Sequence, residues 1–247
     1  MKSSFLTIVV LLSFVVGWVI YEFMIPEFVK EGGPLVVALI AISLMIVTLT
    51  IERILSLRKA QGRENLATFL RKVQQAVHAG DVDGAIAMCD KQRGSLASVI
   101  ASGLRRYKEV EGTDDRKFAM DEVKQAIEEA TLLEVPILER NLVALSTIAS
   151  IATMVGLLGT VLGMIKAFSA FSEGGTPDAA QLSTGISEAL INTAGGIAGA
   201  IMAIIAYNYF TTKVDGFTYM IDEASQSIVD TLASRRAHNA TPATATR

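Results

Sequence analysis

The sequence predicts an all-α integral membrane protein with four transmembrane helices. Three observations carry this reading. Hydrophobic residues make up 51% of the chain against 19% charged, and the mean hydropathy is positive. The apolar residues are gathered into four runs. Two of them, 141–171 and 185–210, contain no proline and are long enough at about 1.5 Å per residue to cross a hydrocarbon core of about 30 Å. Finally, lysine and arginine cluster at some ends of the runs and avoid others, which fixes an orientation.

Residues 1–34 supply the first span and an outer turn. The run 5–25 is interrupted only by Glu22, carries Trp18, Tyr21 and Phe23 as an interfacial belt, and is followed by no A-x-A motif. It reads as a retained helix rather than a cleaved signal peptide. After the Gly32-Gly33-Pro34 turn, residues 35–53 form the second span. It closes on Glu52-Arg53 with Arg58, Lys59 and Arg63 behind it, so that end is cytoplasmic.

Residues 54–140 read as a helical cytoplasmic domain. Leu66, Phe69, Leu70, Val73 and Val77 recur at helical spacing, Gly80-Asp81 marks a stop, and further helices follow over 82–89 and 95–107. A long charged helix over 114–140 has Phe118, Val123, Ile127 and Leu132 as its apolar side. Pro136 predicts a bend near its end. Its interleaved charges, and His78, belong to solvated faces.

The third span, 141–171, leads into a loop, 172–184, that has no lysine or arginine and therefore lies outside. Lys166 is near enough to that end to snorkel. The fourth span begins at 185 and continues to 234 as a cytoplasmic helix through Val214, Phe217, Ile221, Ile228 and Leu232. The tail 235–247 is poor in apolar residues and is expected to be disordered.

The last two spans carry unusual polar and small residues: Thr147, Ser150, Thr153, Gly156, Gly159, Thr160 and Gly163 on one, Glu188, Asn192, Thr193, Gly195, Gly196 and Gly199 on the other. Glycines four apart let a second backbone come close, so these are helix-packing positions. Glu188 is costly in lipid and is expected to face protein or water, with Asn192 one turn further along the same face. Two roles stay open for Glu188, a charge on a conduction path or an ion pair that fixes an interface.

Several function classes are excluded. A net charge of −3 offers no nucleic-acid surface. Cys89, His78 and His238 are too scattered for a metal site, the glycine runs lack phosphate-loop and dinucleotide patterns, and no nucleophile or carboxylate pair has a scaffold. The expectation is a protein that is not an enzyme and uses no metal or cofactor.

The stretches Gly156-Leu-Leu-Gly-Thr-Val-Leu-Gly-Met164, Gly185-Ile-Ser-Glu-Ala-Leu-Ile-Asn-Thr193 and Ala206-Tyr-Asn-Tyr-Phe210 resemble the two pore helices of the MotA/TolQ/ExbB proton-channel family, most closely its ExbB branch. Ile51-Glu-Arg53, the segments 80–89 and 97–107, and Glu134-Val-Pro-Ile-Leu-Glu-Arg140 extend the resemblance over about 35–217. It implies a homopentamer in the bacterial inner membrane whose third and fourth spans surround the single spans of ExbD- or TolR-like subunits, with work passed to a TonB-like protein. The family's pore threonines fall on Thr160 and Thr193 and its acidic residue on Glu188, beside Asn192. Thr153 and Met202 stand where relatives commonly have proline, and the extra first span resembles the stator protein MotA. A TolQ-like subunit, a gliding or flagellar stator and a passive membrane scaffold are the alternatives. Over 142–168 and 189–210 the ionisable residues are Lys166, Tyr207 and Tyr209, so a mid-membrane carboxylate is expected from a partner.

Overall fold

A computed structural model describes residues 3–113, 115–172 and 179–239. All regular structure among the described residues is helical: α1 (Ser3–Phe23), α2 (Glu27–Lys30), α3 (Leu35–Gln61), α4 (Leu66–Ala79), α5 (Val82–Gln92), α6 (Ser95–Glu109), α7 (Arg116–Glu139), α8 (Leu142–Ser172) and α9 (Ala179–Asn239). The chain divides into two compact units. One comprises Met1–Arg53 with Asn141–Phe210, the other Ile54–Arg140 with Thr211–Arg247.

Three helical stretches, containing α3, α8 and α9, are long and apolar enough to cross a membrane. The expected count of four is met only in part. The apolar stretch of α1, Thr7–Phe23, is shorter than these three, and spans about 26 Å by helical rise. It nevertheless packs within the first unit: Val9, Ser13 and Gly17 are buried at i, i+4, i+8 spacing. A Cβ on Gly17 would lie 3.3 Å from Ala41 N of α3.

Several hydroxyls within the spans are satisfied by their own helices. Ser43 donates to Leu39 O at 3.0 Å, Thr48 to Leu44 O at 2.8 Å and Thr147 to Val143 O at 2.7 Å. Each hydroxyl thus enters an apolar setting with its donor used. Thr153 bonds Ala149 O at 3.3 Å, and α8 passes this position without interruption.

The end of the first unit at Arg53 and Asn141 is tied by Glu52. Its two carboxylate oxygens accept Nε and Nη2 of Arg53, each at 2.9 Å, and Oε2 also accepts Asn141 Nδ2 at 3.1 Å. Arg53 is 1% exposed, so this pairing is what permits its burial. Pro136, where a bend is expected, lies inside α7, which continues to Glu139; the helix ends at Arg140-Asn141, where Asn141 has φ 66°. Pro136 has no N–H to donate to Leu132 O, yet the helix runs on past it, and the left-handed residue Asn141 keeps it from continuing into α8.

The second unit owes its helix boundaries to caps. Asn65 accepts from Ala67 N at 3.0 Å, and Asp81 from Gly84 N at 2.8 Å. Asp115 accepts from Lys117 N and Phe118 N, and Gly80 closes α4 at φ 93°. Phe69, Val73, Val77, Ala85, Leu96, Ile100, Leu104, Val123 and Ile127 form its core with Val214, Ile221, Ile228 and Leu232 of α9.

Some expectations need correction here. Phe118 and Leu132 are 51% and 74% exposed; the inward face of α7 is Ala119, Met120, Val123 and Ile127. Position 114 lies outside the described residues, and the helix starts at Arg116. Of the segment 172–184 expected as an outer loop, Ser172 belongs to α8 and 179–184 to α9, while 173–178 lie outside the described residues. Residues 235–239 extend α9 to Asn239 rather than joining a disordered tail, of which 240–247 lie outside the described residues. Ser234 Oγ bonds Asp230 O within this last stretch at 2.8 Å.

Candidate functional site

The site is built on the seam between α8 and α9, which run antiparallel. A Cβ on Gly156 would lie 3.1 Å from Gly196 Cα and 3.2 Å from Asn192 O. One on Gly163 would lie 2.7 Å from both Ala189 N and Gly185 O. Gly159 faces the Asn192 side chain, and Gly196 meets Gly156 and Ala152 O. Two glycines of the same sequence group sit elsewhere: Gly195 meets Leu39 Cδ1 of α3 at 3.1 Å, and Gly199 has its nearest neighbour, Ala152 Cβ, at 3.7 Å.

Close backbones bring the two threonines together. Thr160 and Thr193 are hydrogen-bonded hydroxyl to hydroxyl. Thr193 Oγ1 also lies 3.0 Å from Ala189 O and 3.2 Å from Gly156 O, and Thr160 Oγ1 lies 3.4 Å from Gly156 O. Each hydroxyl has a single proton and can both donate and accept. Several acceptors therefore share two protons, and rotation about the side-chain bonds reorders them without breaking the helices.

Towards the outer end, Glu188 is 8% exposed and accepts Lys166 Nζ at 2.7 Å. Lys166, expected from the sequence to snorkel, is thus the ion-pair partner of Glu188. Asn192 is 0% exposed; its Nδ2 donates to Gly32 O at 2.7 Å, and its Oδ1 has no hydrogen-bond partner among the described residues. Ser187 Oγ donates to Glu31 Oε2 at 2.9 Å. Gly33, at φ 70°, lies directly against the Glu188 carboxyl group. The turn 31–33 therefore grips α9 at Ser187, Glu188 and Asn192.

The structure thus forms two groups, Thr160 with Thr193, and Glu188 with Asn192, Lys166 and the 31–33 turn. No side-chain hydrogen bond joins them among the described residues. Sequence reasoning missed the turn. Gly32-Gly33-Pro34 marked a chain reversal, but the contact partner of a left-handed glycine is not written in local sequence.

Outside the membrane, hydrogen bonding to Lys72, then its charge, holds the Glu64 carboxyl below the usual range. Hydrogen bonds from Arg106 to Glu109 and Glu122 raise the guanidinium further. Burial pushes the Cys89 thiol up to about 12. Among the described residues no group of three or more His, Cys, Asp or Glu is placed to hold a metal ion.

Long apolar helices, a glycine seam and hydroxyl and ion pairs formed between spans define a multi-pass helical membrane protein. The chain belongs to the MotA/TolQ/ExbB proton channel family, whose sequence profile matches residues 91–223. That family is a class of channel and transport components and not of enzymes.

The ExbB-like biopolymer transport protein 3 of Synechocystis is 33% identical over 213 residues, covering 84% of this chain and 94% of its own length. An ExbB homolog of Methanothermobacter thermautotrophicus is 29% identical over 189 residues, 76% of this chain and 63% of the relative. The Tol-Pal system protein TolQ of Haemophilus influenzae is 40% identical over 82 residues, 33% of this chain and 36% of TolQ.

Proposed function

We propose that this chain is the channel subunit of an inner-membrane motor of the ExbB-ExbD-TonB type, coupling proton motive force to energised uptake across the outer membrane. In this reading it forms a homopentamer with α8 and α9 around the pore, α1 serves as a fourth span, and ExbD- or TolR-like single-span subunits occupy the centre. The proton path runs by Thr160, Thr193, Glu188 and Asn192, and a TonB-like protein receives the work.

The observation that supports this best is the Thr160–Thr193 hydroxyl pair between two spans. The surrounding stretches have no carboxylate of their own below Glu188. A hydroxyl pair can pass a proton along only if a titratable group delivers it, and a partner's span supplies that group. The relatives named ExbB favour uptake as the output. The match to TolQ supports a second reading, in which the same channel serves an envelope system of the Tol-Pal kind.

The test is Thr160→Val and Thr193→Val, which keep shape and remove the hydroxyl. Energised uptake is expected to be lost while the complex is recovered in normal yield. Normal uptake in both variants would leave the threonines as packing residues only. Liposomes holding this chain alone should show no rapid proton flux.

A further inference from the structure

The second unit contains a cleft of about 450 Å³ that is separate from the α8–α9 seam. Its lining includes Ser56, Lys59, Arg93, Ser95, Glu134 and Arg140. Lys59 and Arg93 bring cations to this lining, beside the single acid Glu134.

The N-terminus of α6 opens into the same cleft. Gly94, its N-cap residue, is extended at φ −151° and provides no side-chain hydrogen bond to the first turn. Those amides and the helix dipole make this end positive. Ser95 follows it. That residue is 7% exposed, yet its hydroxyl makes no hydrogen bond among the described residues. The hydroxyl is not one of the fully enclosed polar atoms; it opens onto the cleft and is free to donate there. Its position beside uncapped amides, Lys59 and Arg93 indicates an oxygen-bearing anion as the missing partner.

Chain position indicates where that anion comes from. Ser56 and Lys59 lie on α3 within two turns beyond Arg53, the last residue of the membrane unit on that helix. Arg140 immediately precedes Asn141, where the membrane unit resumes. Both walls of the cleft are therefore only a few residues from hydrocarbon, on the side that the cation bias assigns to the cytoplasm.

We propose that this cleft binds the phosphate of an anionic phospholipid headgroup from the cytoplasmic leaflet. Lys59 and Arg93 supply charge, while Ser95 and the first amides of α6 donate hydrogen bonds. Glu134, on the same lining, repels a headgroup that carries its own carboxylate and accepts from one that carries hydroxyls. Phosphatidylglycerol fits this chemistry. The assignment does not depend on which envelope system the channel drives.

The full-length protein, purified in detergent, is titrated with phosphatidylglycerol, phosphatidylcholine and inorganic phosphate, with bound lipid counted by native mass spectrometry and stability followed by thermal shift. Phosphatidylglycerol is expected to stay bound and raise the melting temperature. Retention should fall about thirtyfold in Lys59→Gln/Arg93→Gln and should also fall in Ser95→Ala. Both cations are exposed, and Lys59→Arg/Arg93→Lys keeps charge and is expected to keep binding. Equal retention in the neutralised pair, equal binding of phosphatidylcholine, or an equal shift with inorganic phosphate alone would each overturn the proposal.

Discussion

Lys166 on α8 donates from Nζ to Oε2 of Glu188 on α9 at 2.7 Å, and their side chains differ sharply in exposure, 62% for the lysine and 11% for the glutamate. The carboxylate is held inside while the cation reaches in from the rim. Removing the lysine therefore exposes the protein to an inner charge without a partner, and removing both charges does not.

Lys166→Ala should lower the melting temperature of the purified complex more than Lys166→Ala/Glu188→Gln does. Because the lysine is mostly exposed, the coupling is expected to be about 1 kcal/mol. Glu188→Gln alone should assemble and alter how uptake depends on external pH. Unchanged uptake across that range would assign the glutamate to the interface alone.

The glycines of the last two spans should not respond alike. At Gly196 a Cβ would sit 2.7 Å from Gly156 Cα and 2.6 Å from Ala152 O, both backbone atoms that cannot rotate away. At Gly199 the nearest atom is 3.7 Å off. Gly196→Ala should cost about 1–3 kcal/mol, and Gly199→Ala less than about 0.5 kcal/mol. Thermal unfolding of the two variants in parallel measures the difference.

Gly33 combines φ 70° with a position against the Glu188 carboxyl group. An alanine there is strained by about 1 kcal/mol or more through its backbone alone, and its methyl group pushes on the carboxylate. Gly33→Ala should therefore reproduce part of the Glu188→Gln phenotype although it changes no charge. An uptake profile over external pH that matches the wild type would refute this link.

Cys89 is 2% exposed and its thiol is raised to about 12 by burial, with Asp90 contributing in the same direction. The native thiol stays protonated at neutral pH and should resist alkylation until the second unit unfolds. The sign for stability follows: the unfolded thiol ionises near 8.5 or so while the folded one holds its proton, so this group's contribution is complete below that value. It is lost as pH rises through the folded value of about 12. Alkylation rates with and without denaturant test the first part.

Much of the fold was legible because local signals and burial agree. In α4, Leu66, Phe69, Val73 and Val77 are both periodic and buried, and Asn65 and Gly80 cap the ends. In α7 they disagree: Phe118 and Leu132 fit a periodic stripe, but small Ala119 and Met120 take the inward positions. A stripe read from hydrophobicity alone overlooks alanine. At the site, residue types announced Glu188, Asn192 and the threonines. Which glycines touch backbone, and that the 31–33 turn reaches α9, depend on tertiary pairing between residues such as Gly32 and Asn192, 160 positions apart.

The Glu52–Arg53–Asn141 cluster bears on the order of synthesis. Arg53 finds its carboxylate in the adjacent residue, so its partner is made together with it on α3. Asn141 reaches the same carboxylate from 89 residues later. The Glu52 carboxylate is thus made well before the residue that completes its contacts, and Asn141 docks on an acceptor that α3 has already supplied.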